Sequence, residues 1–234
     1  MSDSTTSVPT KVLPTTFAPT RSAPTWQRLG DRAIRFARPS APVSARELVR
    51  AVRAWPGVVD VVVAAEDVAA YFVDVLALEA MQQQLARHIE ELATLVDGDE
   101  LVREHVLRVV YDGADLDDVA RAKRLSREEV IALHSGATYT VDTIGFAPGF
   151  AYLAGLDARL ELPRRATPRP RVPAGSVAIA GRQSAVYPFD SAGGWHLVGR
   201  VVGVSMFGEN GALLSLGDRV RFVGAEKPTD VGPK

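Results

Sequence analysis

Residues 145–175 read GFAPGFAYLAGLDARLELPRRATPRPRVPAG, a stretch with no run long enough for a helix of ordinary length. Four glycines, five prolines and five arginines surround Phe146, Phe150 and Tyr152. Proline fixes φ and removes a backbone donor, so this chain is held extended without a hydrogen-bond ladder. The residues that follow keep the same character: SVAIAG, WHLVGRVVG and DRVRFVG are short apolar runs set apart by glycine and proline turns. Short strands punctuated in this way predict a β-barrel or sandwich for the C-terminal half.

The N-terminal half reads differently. Ile34 and Phe36 alternate with Arg35, the period of a half-buried strand. In VSAREL, Ser44 and Glu47 stand at capping-box spacing, and Val43 and Leu48 are placed to form a hydrophobic staple. That helix runs to Trp55, where Pro56-Gly57 ends it. VVDVVV (58–63) and VAAYFV (68–73) are short strands, and Leu78, Met81, Leu85, Ile89 and Leu92 recur as on one amphipathic helix. The order β-α-β-β-α suggests a ferredoxin-like α+β unit. HVLRVVY (105–111) either closes that sheet or opens the next domain.

Two short helices follow, DLDDVARAK and SREEVIALHSG, the second with a capping box from Ser126 to Glu129 and a stop at Gly136. A helix pair raises the question of DNA binding. Asp115, Asp117, Asp118, Glu128 and Glu129 would face phosphates that need Lys and Arg, so a structural connector is expected instead. The resulting division is a Pro/Thr-rich tail over 1–25, an α+β domain over 26–104, a mostly β domain over 105–225 and a C-terminal tail over 226–234. In the first tail, Pro-Thr pairs recur every five residues from Pro9 to Pro24, too polar a composition to offset its ordering entropy.

Composition narrows the function classes. A formal net charge of −1 argues against a general nucleic-acid binder. Zero cysteines remove disulfides, thiolate metal sites and cysteine nucleophiles, and fit a reducing compartment. No stretch approaches the roughly 18 consecutive apolar residues of a membrane helix, and the N-terminus lacks a secretory core, so a cytoplasmic location is expected. No P-loop, Rossmann fingerprint or G-x-S-x-G nucleophile elbow occurs. The four histidines, His88, His105, His134 and His196, form no H-x-x-x-H pair, so no metal site is expected. Ser176 reads as a turn residue at a strand mouth.

The remaining candidates cluster. His134 closes a helix, where the dipole favours a cation, and directly precedes the unusual stretch. Arg164, Arg165, Arg169 and Arg171 are spaced by Pro163, Pro168, Pro170 and Pro173. On that frame they either clamp a carboxylate or phosphate or form a basic surface loop paired with Glu161 and solvent. Downstream, AGRQSAVYPFDSAGGWHLVGR adds Gln183 and Tyr187 as polar groups, Gly193-Gly194 as a tight turn, Trp195 as a wall and Arg200 beyond. Together these describe a rigid, glycine-shaped, arginine-bearing concavity on a β scaffold.

The segment from Gly145 to Arg200 closely resembles the signature of the family formed by the B-type subunits of 5-oxoprolinase. That family includes proteins described as allophanate hydrolase subunit 1 and as the KipI-type inhibitor of a sporulation histidine kinase. GF-x-PGF-x-YL, PR-x-x-x-PR, VP-x-GSV and GGW occur in order, and the likeness covers roughly residues 27–224. Two departures stand out. Ser191-Ala192-Gly193-Gly194-Trp195 replaces the usual Ser-Pro-Gly-Gly-Trp, and Gly199-Arg200-Val201-Val202 replaces Gly-Arg-Thr-Pro.

The resemblance implies a small α+β N-terminal domain and a cyclophilin-like barrel. It implies two kinds of partner, a homologous C-type subunit, likewise cyclophilin-like, and a separate A-type subunit. Together they open 5-oxoproline to glutamate, with ATP used by the assembled complex. This chain would supply part of a pocket for a small anionic or amide substrate. By motif position the expected groups are His134 as acid or base, and Tyr152, Arg164, Arg169, Gln183 and Arg200 as substrate-binding residues. Phe146, Gly149, Phe150, Gly193, Gly194 and Trp195 would shape the pocket. The family also contains two other roles: a regulator that binds a histidine kinase through its surface, and a subunit that works with urea carboxylase or allophanate hydrolase. The enzyme-subunit reading is favoured by the family's breadth.

Overall fold

The computed structural model describes residues 25–40, 43–96, 98 and 102–226, so the expected tails over 1–25 and 226–234 lie almost wholly outside the described residues. The chain opens with a hairpin, β1 (Trp26–Leu29) and β2 (Ala33–Ala37), whose turn carries Gly30 at φ +67. Sequence periodicity locates β2 but not β1, because WQRL has almost no buried residues to mark it. Helix α1 (Ala45–Arg53) follows, then β3 (Val58–Val63) and β4 (Asp67–Phe72). Ser44 caps α1 by accepting from the Glu47 N–H, while the Glu47 carboxylate turns to Arg50.

The expected single helix over Leu78–Leu92 is two, α2 (Val75–Met81) and α3 (Leu85–Leu92). The break falls at residues 82–84, where the N–H groups of Gln82 and Gln84 reach back three residues, to Glu79 and Met81. The tighter turn keeps the apolar phase, so Leu78, Met81, Leu85, Ile89 and Leu92 enter one core with Phe36, Leu48 and Phe72. These helices accompany an antiparallel sheet of order β1-β2-β4-β3.

The strand left open in the sequence, β5 (Glu104–Val110), does not join that sheet. It pairs in parallel with the last strand, β15 (Arg219–Gly224), and so ties the start of the second half to its end. Between them run α4 (Leu116–Lys123), α5 (Arg127–Ser135), β6 (Thr138–Ile144), β7 (Ala151–Ala154), a 3-10 turn at Ala158–Leu160, β8 (Arg169–Val172), β9 (Ser176–Ala180) and β10 (Gln183–Val186). Then come β11 (Ser191–Gly193), β12 (His196–Val201), β13 (Phe207–Gly208) and β14 (Gly211–Ala212). Seven strands close a barrel in the order β10-β7-β6-β15-β5-β12-β9, and closure leaves no unpaired edge. The chain is thus mostly β in its second half. No described helix is long and apolar enough to cross a membrane.

His134, on α5, is fully buried in the barrel core against Phe222, Tyr139 and Tyr111. Its ring nitrogens sit 2.9 Å from the Tyr111 hydroxyl and 2.9 Å from Ser184 Oγ, which also donates to the Ala178 carbonyl. Burial lowers its pKa from 6.5 to about 3, so the ring is neutral. The unfolded chain takes up this proton below about pH 6.5, and the folded chain resists until about pH 3. Stability from the neutral ring is therefore complete above pH 6.5 and is lost as pH falls, by up to about 1.4 kcal/mol per pH unit. In urea titrations the stability gap between wild type and His134→Gln should narrow from pH 7 to pH 4.5; a constant gap would show that burial does not hold the ring neutral.

Candidate functional site

The site is organised by a residue whose sequence context marks it only as a negative charge. Leaving β5, the chain passes so close to β12 that a Cβ on Gly113 would lie 2.3 Å from the Leu197 carbonyl oxygen. This approach brings Asp115 beneath β12, 1% exposed. Its carboxylate accepts from the Leu197 N–H at 2.7 Å, from Arg165 at 2.7 Å and from Arg169 at 2.5 Å. Burial pushes the Asp115 pKa up, but the bonds from Arg169 and Leu197 and the charges of Arg169 and Arg165 together bring it below the ordinary value. The group stays ionised and pins the Pro/Arg loop. Two backbone carbonyls complete the anchorage: Gly194 O accepts from the Arg165 N–H at 2.8 Å, and Pro163 O from His196 Nε2 at 2.9 Å.

Charge pairing then decides which arginine is available. Arg159 bonds Asp157, Arg165 and Arg169 share Asp115, Arg171 bonds Asp190, and Arg182 lies 4.0 Å from Glu161. Of the arginines between 159 and 182, Arg164 alone has no ion pair or hydrogen bond among the described residues. Its guanidinium lies 6.0 Å from the centroid of the buried Trp195 ring, within cation–π range.

Arg164 opens onto a pocket of about 350 Å³ that Tyr152 and Gln183 also line. Tyr152 comes from β7 and Gln183 from β10, adjacent barrel strands in which Gln183 pairs with Ala154. Thr143, Ile144, Gly145 and Phe146 form a second wall, and Val62–Ala65, at the end of β3 and the start of its turn to β4, a third. The side chains of Tyr152, Arg164 and Gln183 make no hydrogen bonds among the described residues, and Thr143 Oγ1 is buried without a partner. Polar side chains uncommitted to protein partners around an apolar concavity are what a polar small molecule needs for orientation. Phe146 sits at φ +71, a conformation rare for a bulky side chain, and the residue is 65% exposed at the lip.

Three of the expected substrate-binding residues, Tyr152, Arg164 and Gln183, thus converge. The others do not. Arg169 is committed to Asp115 and the Trp195 carbonyl. Arg200, on the barrel exterior, points to Asp112 at 3.4 Å. His134, expected as an acid or base, does not line the pocket and is enclosed in the core, because its neighbours on α5, β10 and β15 surround it. Of the expected shaping residues only Phe146 lines the pocket; Phe150 and Trp195 lie in a buried aromatic cluster with Tyr187, whose ring and that of Trp195 lie edge-to-face with Phe150 at centroid distances of 5.2 and 5.9 Å. Gly149 lies at φ +73. A Cβ at Gly193 would sit 2.2 Å from the Tyr187 hydroxyl, and Gly194 packs by Pro168. Sequence reasoning missed Asp115, Thr143 and the Val62–Ala65 segment. Only Asp115 left a trace, as an acidic residue in a chain whose arginines outnumber nearby carboxylates.

The chain is similar to several known proteins. The family profile described as carboxyltransferase domain, subdomain C and D, matches residues 24–212. A Bacillus subtilis (strain 168) protein that bears the name of the B subunit of 5-oxoprolinase is 44% identical over 149 residues, 60% of this chain and 62% of that protein. The chain therefore spans less than two thirds of that relative's length. The crystal structure of TTHA0988 is 39% identical, with a TM-score of 0.66, over 84% of this chain and 41% of that one. A Kluyveromyces lactis urea amidolyase shares the fold alone, at 19% identity and a TM-score of 0.66, over 89% of this chain and 15% of that one.

Removing the Asp115 carboxylate should free the loop. Asp115→Ala leaves Arg165 and Arg169 without their acceptor and should cost about 2–3 kcal/mol, less than a fully buried pair because both arginines reach solvent. The check is the shift in urea midpoint, together with faster proteolysis within residues 163–172; an unchanged midpoint would remove Asp115 from its organising place.

Proposed function

This chain belongs to the carboxyltransferase domain, subdomain C and D, family, and from that membership we propose that it is the B-type subunit of an ATP-dependent 5-oxoprolinase. In this proposal it forms part of the pocket in which 5-oxoproline is opened to glutamate. It is a lactam hydrolase subunit that works only with a homologous C-type partner and a separate A-type one. One observation carries the reading. Three polar side chains with no hydrogen bond or ion pair among the described residues, Tyr152, Arg164 and Gln183, line one pocket in a chain 44% identical to a protein bearing that name.

The chemistry of the pocket suits a small monoanion with an amide. Arg164 supplies one unpaired positive charge for a carboxylate, a charge-assisted bond of about 1.5–3 kcal/mol. Gln183 offers both a donor and an acceptor, the complement of a lactam N–H and C=O. Tyr152 adds a hydroxyl, and Val62, Ile144 and Phe146 offer apolar contact to the ring. The pocket does not fit a nucleotide, because a single unpaired guanidinium leaves most of a triphosphate's charge unbalanced. No step is assigned to ATP in this chain, and its use is left to the assembled complex. His134 serves the barrel in this proposal, and Arg169 holds the loop that presents Arg164.

The same reading assigns a cyclophilin-like fold to the barrel and a ferredoxin-like fold to the first sheet, with the domain boundary near residue 104. In that sheet the N-terminal strand β1 would take the edge position beside β2 that β5 leaves vacant.

The test is turnover by the complex recovered with this chain. ADP release should depend on 5-oxoproline, and Arg164→Ala should raise the KM for it by roughly 10- to 100-fold, the worth of one charge-assisted bond. Arg200→Ala, on the exterior, should change it by less than about twofold. Release that follows urea instead, or an Arg164→Ala complex indistinguishable from wild type, would overturn the reading.

A further inference from the structure

The pocket is a seam. One wall, Val62–Ala65, belongs to the first sheet, whereas Thr143–Phe146, Tyr152, Arg164 and Gln183 belong to the barrel half. Its width is set by whatever fixes the β3–β4 turn against β6. One side chain spans that gap. Arg38, directly after β2, gives both terminal nitrogens to the Asp142 carboxylate, at 2.9 and 2.7 Å, and also reaches the Ala64 carbonyl at 3.3 Å. The Arg38 backbone N–H bonds the Glu66 carbonyl at 2.7 Å, so the same residue holds the turn twice. The pair is shielded, with the Arg38 and Asp142 side chains 14% and 24% exposed.

Asp142 is the unmatched residue of a bulge. β6 pairs with β7 as Val141 opposite Leu153 and then Thr143 opposite Tyr152, with Asp142 opposite neither. A bulge rephases the strand beyond it. Before it, Tyr139 and Val141 point into the core; after it, Thr143 faces its cross-strand partner Tyr152, and both line the pocket. The irregularity that releases Asp142 toward Arg38 is thus the one that turns Thr143 to the site.

We infer that Arg38 and Asp142 form a positioning clamp that sets the separation of the pocket's two walls and thereby its affinity for a small ligand. The inference deepens the pocket reading above and rests on it for the ligand. The clamp touches no reacting atom. Loosening it widens the seam and weakens ground-state and transition-state binding alike, which raises KM and leaves kcat alone.

Two measurements decide this. In the assembled complex with 5-oxoproline, Arg38→Ala and Asp142→Asn should each raise KM by roughly tenfold, with kcat within about twofold of wild type. The double variant should be no worse than either single one, because both remove the same bond. Arg38→Lys should recover part of the loss, since an ammonium pairs with Asp142 but cannot span both carboxylate oxygens and Ala64. Independently of any substrate, amide exchange in the full-length chain should quicken in Arg38→Ala by about tenfold at both 62–66 and 143–146, with core strands β9 and β12 unchanged. Unchanged exchange on either side overturns the clamp whether or not 5-oxoproline is the substrate. A lower melting temperature with wild-type KM also overturns it, and assigns the pair to stability alone. If Arg164→Ala is silent while exchange responds as expected, the clamp stands and the assignment of the substrate falls.

Discussion

A buried carboxylate holding two guanidiniums is the interaction on which the rest of the site depends. Asp115 lies beneath β12 with Arg165, Arg169 and the Leu197 N–H as its donors. An ionised carboxylate withdrawn from water is tolerated only when its lone pairs are filled, so the two arginines are not free to move. Fixing them fixes the backbone on both sides of Pro168 and leaves Arg164 as the residue that projects outward. The loop's stiffness comes from proline, but its direction comes from Asp115.

A second consequence concerns charge. A loop with several arginines looks like a broad anion-binding surface, and here every one of them except Arg164 is held in place by Asp115, Asp157 or Asp190. In the proposed function, one unpaired guanidinium beside an apolar wall is what a compact monoanion would meet. The buried aromatic cluster of Phe150, Tyr187 and Trp195 adds rigidity, and glycine at 193 is required because any side chain there would strike the Tyr187 hydroxyl.

The two halves of the chain meet through ion pairs as well as through Leu216, which packs against both apolar cores. Arg38 with Asp142 is one, and Arg46 with the buried Asp218 at 2.7 Å is another, with His105 also 3.0 Å from Asp218. Charged pairs are directional where apolar contacts are not, so they hold a separation and an orientation together. A pocket formed across such a seam takes its dimensions from them.

Local regularities were legible in the sequence because their causes are local. The cap at Ser126, the stop at Gly136, the alternation in Ile34 and Phe36 and the glycine-punctuated strands all appear where spacing put them. The motif order around GFAPGFAYL and GGW pointed to the segment that carries Tyr152, Arg164 and Gln183. What spacing could not reveal was pairing at a distance. β5 joins a strand more than a hundred residues away, Asp115 selects Arg169 over solvent, and His134 passes from a helix end into the core because α5 packs on β15. The residue types and their order determined which side chains were capable of forming a site. Only the tertiary structure decided which charges were already spent, because a charge is neutralised by whatever the fold brings within about 3 Å, and sequence separation does not limit that.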